Sequence, residues 1–121
     1  MNRSLVRSLG VALVAMATSP AFAHAFLDHA VPAVGSTIHG SPREVKLWFT
    51  GNIESAFSTI RVFDVEGKKV DKGDTQVDEA DSKALRVTLV PLRPGKYRVS
   101  WRALSVDTHV SDGEFSFEVA P

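Results

Sequence analysis

Four stretches of the chain alternate apolar and polar residues with a period of two. Val45, Leu47 and Phe49 interleave with Glu44, Lys46 and Trp48; Leu85, Val87 and Leu89 interleave with Arg86, Thr88 and Val90. Tyr97, Val99, Trp101 and Ala103 interleave with Lys96, Arg98, Ser100 and Arg102, and Phe115, Phe117 and Val119 with Glu114, Ser116 and Glu118. Successive strand residues point to opposite faces, so this pattern predicts strands with one buried face. The segment Ser58 to Val65 is β-rich but irregular, with Ile60 and Val62 in one phase and Phe63 and Val65 in the other. That predicts a bulge, or a strand buried on both sides. No window carries a sustained helical stripe.

Breaker pairs separate the runs: Glu66-Gly67, Gly73-Asp74, Pro94-Gly95 and Asp112-Gly113. Leu27 and Val31 can tie a first strand into a sheet. Between Pro32 and Pro42 only Ile38 can anchor a short strand, and the polar, acidic stretch from Asp71 to Lys83 predicts a surface loop. Short strands at this spacing predict a single all-β domain, a sandwich or small Greek-key barrel.

The N-terminus does not belong to that pattern. Arg3 and Arg7 precede an apolar stretch from Leu9 to Ala17, Pro20 follows, and Ala21-Phe22-Ala23 is a small-x-small cleavage signal. The apolar stretch is too short to span a bilayer. Residues 1–23 are therefore expected to be a Sec-type signal peptide, and 24–121 the exported mature domain. Removing 23 residues from 121 leaves 98. Arg3 and Arg7 leave with the leader, so 12 of the 14 Lys and Arg face 14 Asp and Glu, a formal −2 with His neutral. This is no nucleic-acid or lipid footprint, and no long apolar run remains to embed the mature chain in a membrane. A monomer is expected.

Cysteine is absent, and both methionines, Met1 and Met16, lie in the leader. Without thiolate or thioether, a mature-chain metal site must use His, carboxylate, amine, backbone or water, which disfavours soft Cu(I) or Fe–S centres. Cleavage before His24 would make it the first residue, offering an α-amine and a ring Nδ1 that can chelate one ion. Far downstream stands Asp107-Thr108-His109. If residues 105–110 stay extended, Asp107 and His109 project to one side and Thr108 to the other. Three nitrogens and one oxygen suit Cu(II), which favours tetragonal N/O sites, whereas zinc prefers a tetrahedron. Asp107 can ligate directly or accept a hydrogen bond from a ligand. His29 and His39 read as ordinary polar-segment histidines, Trp101 as core, and Trp48 as facing solvent or shielding a rim. Ser105 and Ser111 have no visible activating base for nucleophilic catalysis.

The mature chain resembles the CopC-type (CopC/YobA) periplasmic copper-resistance proteins along essentially its whole length. The resemblance lies in His24-Ala25-Phe26-Leu27-Asp28-His29-Ala30 with Pro32-Ala33-Val34-Gly35-Ser36, in Val45-Lys46-Leu47-Trp48-Phe49, and most specifically in Leu92 to Trp101-Arg102 continuing through Ser105-Val106-Asp107-Thr108-His109, Gly113 and Phe115-Ser116-Phe117. It implies a seven-stranded Greek-key β-barrel related to immunoglobulin-like sandwiches. It also implies one Cu(II) ion held by His24, Asp107 and His109, and a CopD-type inner-membrane partner. Two features depart from some members: Gly51 stands where a further Glu ligand would fall, with Glu54 three residues late, and there is no Met-rich loop. Two other readings compete with a non-enzymatic Cu(II) carrier. One is a histidine-brace copper oxidase, which would need an open coordination position and a broad substrate surface. The other is a metal-free structural sandwich.

Overall fold

The computed structural model describes residues 25–121, and all of the secondary structure there is strand and turn. Eight strands occur among the described residues: β1 Leu27–Val31, β2 Thr37–Ile38, β3 Glu44–Phe49, β4 Ile53–Phe63, β5 Gln76–Asp78, β6 Asp81–Thr88, β7 Gly95–Ser105 and β8 Val110–Val119. They form two four-stranded sheets with orders β1-β3-β6-β5 and β2-β8-β7-β4. The connections β3–β4, β4–β5 and β6–β7 each pass from one sheet to the other, which is Greek-key wiring of the immunoglobulin kind. The expected count of seven is recovered when β1 and the two-residue β2 are taken as halves of one edge segment. Its first half joins β3 and its second runs parallel to β8.

The alternating runs form the core as their periodicity requires. Val45, Leu47, Val87, Val99 and Phe117 are all buried between the sheets, together with Trp101 and Phe49, whose rings meet edge to face at 5.2 Å. Tyr97 lies near the start of β7, and its hydroxyl donates to the Arg93 carbonyl at 2.6 Å. This is the tyrosine corner of immunoglobulin-like sandwiches, which pins the crossover before the strand.

Two sequence expectations need correction or sharpening. β4 does carry a bulge, between Glu54↔Leu104 and Thr59↔Arg102, but it lies before the phase conflict, since Ile60 to Phe63 pair with Trp101 to Arg98 in unbroken register. The conflict arises because Phe63 points to the outer face, under Arg98. Ile60 and Val62 are buried, whereas Val65 falls in the following turn and is exposed. The stretch from Asp71 to Lys83 is not simply a surface loop. It contains β5 and the start of β6. Asp71 is itself buried, accepting the Val62 N–H at 2.8 Å and the Gly73 N–H at 2.9 Å. A short acidic side chain there satisfies backbone donors that no strand partner reaches.

Strand directions gather one set of segments at one end of the sandwich. Leu27 pairs with Phe49, and Ile53 pairs with Ser105. Thr50 N–H donates to the Phe26 carbonyl at 2.9 Å, and Val106 N–H to the Asn52 carbonyl at 3.1 Å. The start of the described chain, the β3–β4 connection and the β7–β8 turn therefore share this rim.

Candidate metal centre

Asp107 and His109 sit in the turn joining β7 to β8. The extended geometry expected for 105–110 is not what forms. The ladder closes at Leu104↔Val110, and beyond it Ser105 N–H donates to His109 O at 2.9 Å and Thr108 N–H to Ser105 O at 2.8 Å. Thr108 takes a left-handed φ of 73° to complete the reversal. The turn nonetheless brings the two side chains together: His109 Nδ1 lies 3.1 Å from Asp107 Oδ2. The carboxylate is about one-third exposed and the imidazole about half. An imidazole that donates from Nδ1 carries its lone pair on Nε2, so a carboxylate in this position fixes ring orientation and ligand basicity.

Ser105 holds the carboxylate. It continues the inward phase of Tyr97, Val99, Trp101 and Ala103, and is buried. A buried hydroxyl needs a partner, and this one donates to Asp107 Oδ1. It also accepts the His109 N–H at 3.3 Å. The Ser105 hydroxyl first, and then His109, hold the Asp107 carboxyl below the usual carboxylate range, although partial burial opposes them. Asp107 is thus an anion through the neutral and mildly acid range. Its Oδ1 accepts from the Ser105 hydroxyl and from the His109 N–H at 3.4 Å, so Oδ2 is the oxygen with a second lone pair for a metal.

His24 lies outside the described residues. Ala25, its chain neighbour, is buried, and its carbonyl accepts a hydrogen bond from Ser111 Oγ at 2.7 Å. Ser111 is two residues from His109 in sequence. Phe26 N–H donates to Thr50 Oγ1 at 2.9 Å. The chain therefore enters the sandwich at the same rim as the Asp107–His109 pair, fastened on both sides of the sandwich. Among the described residues no group of three or more His, Asp or Glu is placed to hold a metal ion. Asp107 and His109 by themselves supply two side chains, so a metal site built on them would need donors from elsewhere.

The other histidines are separate from this pair. His29 stacks on Trp48, with centroids 4.4 Å apart and planes 10° apart, and its Nδ1 lies 2.7 Å from Asp28 Oδ2. His39 follows β2, beside the C-terminal end of β8 and so at the far end of the sandwich. Both are ordinary polar-surface histidines, as the sequence suggests. Trp48 is half-buried on the outer face of its sheet, capped by His29 and with Lys46 Nζ 4.9 Å from its ring. Ser105 and Ser111 are the residues whose part sequence reasoning missed. Their signal was visible as hydroxyls on the inward phase of strands flanking the Asp-x-His turn.

The family model for the CopC domain matches residues 27–120. The chain belongs to the CopC family. It is 31% identical over 118 residues to Protein YobA of Escherichia coli strain K12, an alignment covering 97% of this chain and 95% of that one. The crystal structure of CopC from Methylosinus trichosporium OB3b superposes with a TM-score of 0.76 at 36% identity, covering 81% of this chain and 95% of that one. PcoC, described as a methionine-rich copper resistance protein from Escherichia coli, superposes with a TM-score of 0.70 at 31% identity, covering 80% and 99%. This CopC-family chain differs from a methionine-rich relative in that neither of its two methionines lies beyond residue 16.

Proposed function

We propose that the chain is a non-enzymatic copper-resistance or copper-homeostasis protein. In this reading it is exported to the periplasm by cleavage after Ala23 and binds one Cu(II) ion through the His24 amine and Nδ1, Asp107 and His109. It buffers that ion or delivers it to a CopD-type inner-membrane protein. The observation that carries the proposal is the Ser111–Ala25 hydrogen bond, which ties the residue next to His24 to the strand two residues beyond His109. The donor set is nitrogen- and carboxylate-rich and contains no sulfur, the set that favours the cupric ion. Relatives that the chain matches along most of its length carry copper resistance in their names. The serines near the pair are tied to the Asp107 carboxylate and the Ala25 carbonyl, which supports a binding role rather than a nucleophilic one.

The test is a side-by-side Cu(II) titration of protein beginning at His24 and protein with one additional residue before it, followed by EPR with nitrogen hyperfine counting. The processed form is expected to bind orders of magnitude more tightly and to show three nitrogen donors. Equal affinities would overturn the terminal-amine site.

A further inference from the structure

Phe57 is the least expected residue in the structure. It is 82% exposed and has a φ of 68°. Left-handed backbone is ordinary for Gly and tolerable for Asn, but for a bulky side chain it is a true outlier. The bulge that holds it is built rather than loose. Residues 55–58 of β4 face Ala103 of β7 alone between the flanking pairs. Ser58 is buried in the gap, its hydroxyl donating to Glu54 O at 2.6 Å and accepting the Leu104 N–H at 2.9 Å. A chain that needed only a bulge would place Gly at the positive φ; this one displays an aromatic ring there.

The ring has apolar company on the outer face of the same sheet. Leu104, bonded to Ser58, is the ladder partner of Val110, which is 46% exposed. Val106 is 54% exposed. Val106 immediately precedes Asp107 and Val110 immediately follows His109. Exposed apolar residues thus stand directly before and after the candidate copper pair in the chain, and Phe57 lies one residue before the serine bonded to their strand neighbour Leu104. Aromatic residues on such patches dominate association energetics.

We infer that Phe57, Leu104, Val106 and Val110 form the docking surface for the protein that accepts the metal, a partner presenting an apolar face bordered by basic side chains. This rests on the copper-delivery reading above. Three observations select the occupant. Val106 and Val110 flank the Asp107–His109 pair, so a partner seated on them covers the ion it receives. Four side chains fall well short of the roughly 800 Å² per partner that standing complexes bury, which fits a brief encounter and not a permanent dimer. Apart from Asp107, whose charge the bound ion would neutralise, two acids face one base: Glu54 lies across from Leu104, and Asp112 pairs with Arg102. Such a border repels an anionic lipid surface and favours basic groups on the partner.

Phe57→Gly tests this cleanly, because glycine suits the positive φ and preserves the bulge. The variant is expected to melt no lower than the wild type, to bind Cu(II) equally well, and to lose copper to EDTA at the same rate. Its transfer of copper to the CopD-type acceptor in nanodiscs, at subsaturating acceptor, should be at least tenfold slower. Equal transfer rates would overturn the docking surface while leaving copper binding intact. Wild-type protein that binds Cu(II) but never transfers it to this acceptor would overturn both delivery and docking. Wild-type protein that binds no Cu(II) would defeat the functional reading itself. Phe57-dependent sedimentation with neutral phosphatidylcholine vesicles, or Phe57-dependent dimerisation by light scattering, would assign the patch to a different occupant and refute the proposal.

Discussion

Ser111 Oγ donates to the Ala25 carbonyl at 2.7 Å across 86 positions of sequence. This bond spans the two segments that would supply the copper donors, and it explains how a chain terminus can contribute to a defined site. Chelation by a terminal residue is costly when that residue must be ordered on binding; anchoring its neighbour lowers the cost beforehand.

Ser111→Ala should therefore weaken Cu(II) binding to the processed protein by about tenfold, equivalent to about 1.4 kcal/mol. The loss of stability without metal should be smaller, on the order of 1 kcal/mol for a single neutral hydrogen bond. Calorimetric titration beside thermal melts of the apo protein separates the two effects. An affinity loss no larger than the stability loss would argue against a positioning role.

The depressed pKa of Asp107 decides where protons begin to compete with copper for its carboxylate. A carboxyl whose folded pKa is lowered contributes stability that is present above its unfolded value, about 3.9. That contribution is lost as pH falls through the folded value. Asp107 thus remains ionised at about pH 5, so its own protonation would not release copper on mild acidification. Ser105 supplies the largest part of the lowering. Ser105→Ala should move the Asp107 titration upward, read by carbonyl-detected NMR of the apo protein, and should weaken copper binding most at the acid end. An unchanged Asp107 midpoint would show that the hydroxyl does not govern the carboxylate.

Asp74 gives a second acid-sensitive group, away from the Asp107–His109 pair. It accepts from Thr88 Oγ1 at 2.5 Å and from Thr88 N at 2.8 Å, and its pKa is lowered, chiefly by the Thr88 hydroxyl. The sign is again that of a depressed carboxylate: its contribution is complete above about pH 3.9 and is lost below, through the folded value. Asp74→Asn should be less stable than wild type at pH 6, and the difference should shrink as the pH is lowered toward 3. Urea melts across this range check it; a gap that widens on acidification would contradict the assignment.

The fold was largely legible because its signals are local. Val45-Leu47-Phe49 and Tyr97-Val99-Trp101-Ala103 carry one-sided periodicity, and the structure buries those faces. The conflicting phases of Ile60 and Phe63 were not the mark of the β4 bulge, which lies before them; they are regular alternation, with Phe63 on the outer face under Arg98. What escaped sequence reading depends on partners distant in the chain. Asp71 looks like a loop acid until Val62 N–H is seen to need it. The turn at Thr108 looks extended until Ser105 and His109 close it. The Asp107–His109 pairing was readable from spacing alone, although through a turn and not a strand. The anchoring of Ala25 by Ser111 was not readable, since no local pattern relates positions 86 residues apart.

Gly113 illustrates a constraint that only packing reveals. The sequence presents it as a breaker beside Asp112, yet it lies within β8, opposite Trp101 on the β7–β8 ladder. A Cβ there would stand 2.8 Å from Trp101 Cζ2 and 3.1 Å from Cε2. The indole cannot readily retreat: it is buried, and Phe49 meets it edge to face at 5.2 Å. Gly113→Ala should thus overpack the core and destabilise the domain by about 1–3 kcal/mol. At roughly 4–8 °C per kcal/mol for a domain of this size, the melting temperature should fall by at least several degrees. The near-ultraviolet circular dichroism of Trp101 should change with it, because the ring must rotate or shift to admit the methyl. A variant with wild-type melting temperature and an unaltered tryptophan spectrum would mean that β8 can move away from β7 at this point without cost. That would remove the reason for a side-chain-free residue at position 113.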